Sequence, residues 1–364
     1  MLYEYFAKPL LFRMDPERAH HLTIGGLRTA SRIPGVLQAM RAAYGSPEAP
    51  ELRQTIWGID YPNPLGLAAG LDKNGEAAAA FSNLGFGFIE VGTVTPKAES
   101  GNEQPRLFRL PPDQALVNRM GFNNNGAEAM REFLAALRHR PVPIAVNIGK
   151  NKMTPNEQAV QDYRTCMRIL YDVGDFFVVN ISSPNTPDLR SLQHGEDLRG
   201  LLHGIMEERN RLAQQRGTEA KPVLVKLAPD LSQEQLAASV NIIREAGISG
   251  IIATNTTVSR EGLKHPHGEQ AGGLSGKPLK DKSTAIIRHV YCLTEGRIPI
   301  IGCGGVFSAA DAYEKIRAGA SLIELYTALI YQGPGLIKKI HKGLLECLKK
   351  DGLSHISEAV GKDA

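Results

Sequence analysis

Cysteine is sparse in this chain. Cys166, Cys292, Cys303 and Cys347 are the only four in 364 residues, and no pair has C-x-x-C spacing. This argues against a zinc site and a disulfide scaffold, and for a chain that faces the cytoplasm. Long apolar runs are missing as well. No stretch reaches the ~18 residues that a membrane-spanning helix needs. The start of the chain lacks the charged, apolar and small-residue sections of a signal peptide. Neither sign of charge dominates: 42 Lys and Arg stand against 38 Asp and Glu, a net +4. That is too little to bind nucleic acid by charge alone, so no nucleic-acid partner is expected. No His-Glu-x-x-His signature occurs, and no metal is expected. With 42% apolar and 22% charged residues, the composition is that of a globular chain.

The charge that is present is unevenly placed. Residues 1–44 carry six Lys and Arg against three Asp and Glu, together with Leu2, Tyr3, Tyr5, Phe6, Leu10, Leu11, Phe12 and Met14. Asp15-Pro16-Glu17 reads as a helix start. Asp can cap, Pro suits the first turn, and Glu complements the positive helix end. Ala19, Leu22, Thr23, Gly26, Leu27 and Ala30 continue it as one stripe, which Ile33-Pro34-Gly35 ends. A shorter apolar segment, Leu2 to Leu11, is expected to break at Pro9. The pattern predicts an arm over 1–44 of two small helices, greasy on one side and basic on the other. Gly45, Pro47 and Pro50 mark a linker over 45–52, and a second unit spans 53–364.

In that unit, short β-rich apolar runs recur at 63–69, 86–95, 143–149, 176–182, 222–228, 250–256, 298–304 and 321–327. Most precede a helical stretch, clearest at 75–84, 126–137, 157–173, 231–246, 308–318 and 334–350. Alternation of this kind predicts a (β/α)8 TIM barrel, although an open doubly wound sheet has the same local pattern. Residues 96–125 are long for a βα connection and contain Pro105, Pro111 and Pro112, so a lid or hairpin is expected. Residues 258–275 are expected to be a second, mobile loop.

Barrels build their sites at the C-terminal strand ends. Here those ends carry small, amide, hydroxyl and lysine residues, with no close carboxylate pair of the glycosidase kind. Such a set suits an anionic, planar, amide-bearing ligand. Gly302-x-Gly304-Gly305 and Tyr326-Thr327 fall where barrels often hold phosphate; a tight strand-to-helix turn is the other reading. An unpaired ammonium inside a strand is costly, so Lys226 points to function. Taken alone, Ser183 is a turn or cap residue, Lys73 a first-turn helix lysine and Lys150 a loop residue in solvent. Cys166, Cys292 and Cys347 read as helix-packing residues.

Longer motifs go further. Asn63 to Lys73 resembles the first-strand motif of dihydroorotate dehydrogenases. Asn118 to Asn124, Asn147 to Asn151, Asn180 to Pro187, Ile252 to Thr257, Gly272 to Gly276 and Ile300 to Gly305 resemble their later motifs, in order. The arm resembles that of the quinone-dependent, membrane-associated bacterial class. The resemblance implies oxidation of (S)-dihydroorotate to orotate in pyrimidine synthesis, with hydride passing to FMN and electrons to a membrane quinone, ubiquinone or menaquinone. It implies FMN contacts at Ala69, Gly70, Leu71, Asp72, Lys73, Thr93, Asn147, Asn180, Lys226, Thr254, Gly276, Gly305, Tyr326 and Thr327. It implies substrate contacts at Lys73, Asn118, Arg119, Met120, Gly121, Phe122, Asn180, Asn185, Asn255 and Thr256, with Ser183 as the catalytic base.

Those residue types suit the roles. Lys73 can pair with the orotate carboxylate, and the asparagines can read its amides. Lys226 can stabilise negative charge on the pyrimidine edge of reduced FMN. A serine base needs a proton relay, for which Thr186 or a water is the candidate. The soluble classes of the family use a cysteine where this chain has Ser183. Residues 1–40 are expected to lie on the membrane surface and open a tunnel to FMN, giving a peripheral protein on the cytoplasmic side of the inner (plasma) membrane.

Overall fold

Residues 3–364 are described by a computed structural model. Met1 and Leu2, where the first apolar segment begins, lie outside the described residues. Eight parallel strands close into a barrel: β1 (Leu65–Leu67), β2 (Phe88–Val94), β3 (Ile144–Ile148), β4 (Phe176–Asn180), β5 (Val223–Leu227), β6 (Gly250–Ala253), β7 (Ile300–Cys303) and β8 (Ala320–Leu325). Closure excludes the open-sheet reading. Strands covered on both faces are apolar almost throughout, and β2 to β6 are buried at every position.

The twofold alternation of each strand sorts its inward residues into layers. Phe88, Ala145, Phe176, Leu224, Ile252, Ile301 and Leu322 fill the lower interior with Tyr61. Two residues further on, the same faces carry Glu90, Asn147, Lys226, Thr254, Cys303 and Glu324, and β4 reaches Asn180 after Val178. Below, the antiparallel pair Gln54–Ile56 and Ile59–Tyr61 closes the barrel floor. There the Trp57 indole donates to Ser249 O at 2.7 Å. Gly66 makes room for the floor: a Cβ there would lie 2.1 Å from the Phe88 ring.

The helical ring includes the expected segments, the first reduced to Ala78–Phe81, and adds Gly195–Arg216 and Lys280–Thr294. Cys292, on the last of these, is exposed rather than packed. Residues 107–118 form a hairpin, Leu107–Leu110 with Ala115–Asn118. Gly273–Gly276 pairs with it as a third strand, so the end of the 258–275 segment is sheet, not free loop.

Among the described residues the arm has a π-helical turn, Tyr3–Ala7, and three α-helices where two helices were expected: α1 (Lys8–Arg13), α2 (Pro16–Ala30) and α3 (Val36–Tyr44). Pro9 is the second residue of α1, which follows directly on the π-helical turn Tyr3–Ala7, so the segment changes its winding beside Pro9 rather than breaking there. Asp15 caps α2 by accepting from the Glu17 and Arg18 N–H groups at 3.0 and 2.9 Å. The expected stripe splits: of its members only Ala19 is buried, and Ile24, outside the stripe, is buried with it, while Leu22 stands exposed, as do Tyr5, Phe6, Leu10 and Ile33. Among the described residues no helix is long and apolar enough to cross a membrane.

Candidate active site

The upper ends of the strands enclose a polar cavity of about 150 Å³. From the first strand end come Ala69, Gly70 and Lys73, and from the second Thr93. The hairpin adds Asn118, Met120, Gly121 and Phe122, and the β4 loop Asn180, Ser183 and Asn185. Lys226, Thr254, Asn255, Thr256, Gly276, Gly305, Tyr326 and Thr327 complete the wall. Four of the expected residues lie off it. Arg119 turns outward to Gln270 Oε1 at 2.9 Å. Asp72 accepts from the Glu76 and Ala77 N–H groups, and burial pushes its carboxyl up to about 7. Asn147 sits behind the wall, donating to Glu90 Oε1 at 2.7 Å. Leu71 faces a second cavity.

The amide cluster is cross-braced. Asn180 Nδ2 donates to Thr93 Oγ1 at 2.8 Å, and Asn185 Nδ2 donates to Asn118 Oδ1 at 3.1 Å. Asn255 Nδ2 donates to Ser182 Oγ at 2.9 Å. These bonds fix the side chains before a ligand arrives, which lowers the cost of binding. Ser183 is buried, and its Oγ accepts from the Asn185 N–H at 3.2 Å. Three residues on, the Thr186 hydroxyl is buried without a hydrogen-bond partner among the described residues. Such a group suits a bound water or a transferring proton.

On the opposite side Gly305 has φ +71, and a Cβ there would lie 2.4 Å from Lys280 Cα. Only glycine brings this backbone so close to the Lys280 helix start. Thr327 Oγ1 donates to Ser275 Oγ at 2.9 Å across the same corner. Glycine-rich backbone beside a helix start is the kind of group that binds a phosphate, and the same cavity is lined by Lys226.

Charge is concentrated at two points. Lys226 Nζ lies 2.9 Å from Glu90 Oε2 and 3.2 Å from Glu324 Oε2, all three side chains being buried. Burial pulls the Lys226 ammonium down, but Glu324 and Glu90 outweigh it, and the pKa is raised. Lys73 donates to Gly70 O at 2.5 Å. Burial, then Glu17 raising and Arg106 lowering, brings its ammonium down to about 8. Lys150 is not in solvent: it is buried and donates to Thr154 O at 2.8 Å.

A second cavity, about 360 Å³ and largely apolar, lies between the arm helices and the barrel. Leu11, Phe12, Ala19, Thr23 and Leu27 face Leu71, Leu116, Leu329 and Ile330 across it, and Tyr326 borders both cavities. Its polar members include His20 and Arg109, neither of which stood out in the sequence. Burial, then the charges of Lys73 and His21, pulls the His20 imidazole down to about 3, so it is neutral at physiological pH.

A closed (β/α)8 barrel that gathers amide, hydroxyl and lysine side chains around one cavity at its strand ends has the architecture of a barrel enzyme. The comparisons make this specific. The family model described as dihydroorotate dehydrogenase matches residues 51–348. A protein of Deinococcus deserti named dihydroorotate dehydrogenase (quinone) is 56% identical over 363 residues, covering 100% of both chains. One of the same name from Deinococcus radiodurans is 55% identical, covering 98% of each. The crystal structure of DHODH from Eimeria tenella in complex with ferulenol superposes with a TM-score of 0.86 at 37% identity, covering 96% of each chain. The chain belongs to the dihydroorotate dehydrogenase family and is an oxidoreductase.

Proposed function

We propose that the chain oxidises (S)-dihydroorotate to orotate in pyrimidine synthesis, with FMN in the polar cavity and a membrane quinone as the final acceptor. The observation that carries this is the convergence, on one cavity, of the braced asparagines, Lys73 and Ser183 with the Gly305 and Thr327 cradle. FMN, when bound, supplies the acceptor for the substrate's hydride. Gly305, Gly276, Tyr326 and Thr327 would hold its phosphate end, and Ala69, Gly70, Thr93, Thr254 and Lys226 its ring. Lys73 pairs with the substrate carboxylate. Asn118, Asn180, Asn185 and Asn255 present donors and acceptors to its two amides, and Met120, Gly121, Phe122 and Thr256 close the cavity over it. Ser183 Oγ takes the proton from the carbon beside the carboxylate-bearing one, and the Thr186 hydroxyl, or a water it binds, carries it onward.

The apolar cavity under the arm suits a quinone, with His20 and Arg109 as its polar contacts. Tyr326 on its border brings such a ligand next to the cofactor site. The arm would rest on the cytoplasmic face of the inner membrane, as a peripheral contact. Exposed Tyr5, Phe6 and Leu10 supply the apolar side, and basic residues near an anionic leaflet add about 1 kcal/mol each.

The test is an anaerobic titration of the purified protein with dihydroorotate, followed in the visible. A flavin band that bleaches with one equivalent, and returns on adding long-chain quinone, is the expected result. A flavin that does not bleach would overturn the substrate, and a folded protein without flavin would overturn the cofactor. A pH series adds a sharper check. Lys73 must be charged to pair with a carboxylate, and kcat/KM reports the free enzyme. Above about pH 8, kcat/KM for dihydroorotate should fall about tenfold per pH unit, through KM rather than kcat. In Lys73→Arg the fall should move beyond the accessible range.

A further inference from the structure

Strands β2, β5 and β8 bring two carboxyls and one ammonium to a single buried point. Lys226 Nζ donates to Glu90 Oε2 at 2.9 Å and to Glu324 Oε2 at 3.2 Å. Were both carboxyls ionised, one negative charge would be left over in a place where uncompensated charge is costly.

The hydrogen bonds say which carboxyl gives way. Glu90 Oε2 also accepts from the Ala69 N–H at 2.8 Å, and Glu90 Oε1 from Asn147 Nδ2 at 2.7 Å. Three donors converge on it, as suits a carboxylate. Glu324 Oε2 accepts from Lys226 and the side chain adjoins the Glu90 carboxyl, so it has one donor where Glu90 has three. Its Oε1 is buried and finds no hydrogen-bond partner among the described residues. Other titratable groups nearby do not supply one. Cys303, opposite Glu324 on β7, has a thiol that burial pushes up to about 12. Lys315, on the helix Ala309–Arg317 packed behind β8, spends its ammonium on Lys280 O, Ser283 Oγ and Thr284 Oγ1. An oxygen beside a carboxylate and without a donor is where a proton belongs.

We propose that Glu324 is held as a neutral carboxylic acid, with its proton on Oε1, and that this neutrality leaves Lys226 free to favour the reduced cofactor. The proposal rests on the FMN reading of the cavity. Glu324 acts through Lys226 and is a positioning residue. Burial and the neighbouring Glu90 push its carboxyl well above the usual carboxylate range, against the pull of Lys226. No chemical step is added: the hydride brings both electrons and its own proton, and the Glu324 proton stays in place.

The consequence is a link between pH and potential. Reduction adds negative charge near Lys226, and ionising Glu324 adds another to the same buried cluster, so each disfavours the other. The midpoint potential of the bound flavin should therefore fall with an additional slope on the alkaline side of neutrality. The test compares this profile in the holoenzyme and in Glu324→Gln, which keeps a neutral donor of the same shape. Expected are near-identical potentials at neutral pH and loss of the additional alkaline slope in the variant. The same alkaline slope in both proteins, or a variant potential already raised at neutral pH, would overturn the proposal. Should the variant not fold, the infrared spectrum of the holoenzyme with Glu324 unaltered decides. A carboxylic-acid carbonyl band that fades on the alkaline side of neutrality and is still present in Asp72→Asn supports the proposal, and its absence overturns it. Unchanged slopes with flavin bound sink this proposal alone, whereas a protein purified without flavin sinks the cofactor reading with it.

Discussion

Ser183→Ala is expected to lower kcat for dihydroorotate oxidation by about 10²- to 10⁴-fold, the range a positioned general base supplies, while flavin content and orotate affinity stay near normal. The geometry separates the two effects. Ser183 Oγ accepts one hydrogen bond, from the Asn185 N–H, and donates none among the described residues. Removing it therefore strips no partner from the Asn118 to Asn185 contact, which joins side chain to side chain. The cradle at Gly305 and Thr327 is built from other strands. Binding should survive and proton removal should not. Rapid mixing with dihydroorotate reads the loss as slow bleaching of the flavin band, and orotate titration reads the intact binding. Thr186→Val should show a smaller loss in the same direction, because a water can replace a relay hydroxyl but not the base. Wild-type bleaching in Ser183→Ala would move the base elsewhere in the cavity.

Much of this site was legible because a parallel barrel puts its chemistry at strand ends, and strand ends can be read from apolar runs. Lys226 and Asn180 announced themselves as polar residues closing otherwise apolar strands. Glu90 and Glu324 obey the same twofold rule, two residues beyond Phe88 and Leu322, yet they passed unnoticed. The signal was there: a buried lysine needs a counter-charge, and inward positions on other strands are where to look. Arg119 went the other way. It stands inside a continuous motif, but a strand alternates its faces, and Arg119 turns to Gln270 while Asn118 turns inward. Asp72 likewise lies in a motif but spends its carboxylate on the first backbone N–H groups after the strand. His20 and Arg109 were not legible, because the cavity they line forms only when the arm docks on the barrel. Two segments that are separate in sequence create it. The Leu22 error has a similar origin: a stripe is defined by spacing, but which side of it is covered depends on the partner surface.

That docking includes a buried ion pair, and Glu17→Ala should expose its part. Arg106 Nη2 donates to Glu17 Oε1 at 2.6 Å, and its Nε donates to both carboxylate oxygens at 3.1 Å. Both side chains are buried. Removing one partner of a buried pair costs about 3–5 kcal/mol, because the other charge is left uncompensated. Arg106 cannot turn to solvent cheaply, since its Nη1 also donates to Ser100 O and Asn102 O at 2.7 Å. Asn102 in turn donates to Asn185 O at 3.0 Å, on the substrate loop. One ion pair thus ties α2 to the segment that closes over the substrate. Glu17→Ala should lower Tm and raise KM for quinone and for dihydroorotate together. The double variant Glu17→Ala with Arg106→Met should recover part of the lost Tm, because an apolar pair leaves no buried charge. Strictly additive losses would mean the pair is not a unit. Burial raises the Glu17 carboxyl, but Arg106 more than offsets this and holds it below the usual range. A carboxylate with a depressed pKa stabilises the fold above its unfolded pKa and stops doing so as pH falls through the folded one. Acid should therefore loosen the arm in the unaltered protein, and Glu17→Gln should show that loosened state already at neutral pH.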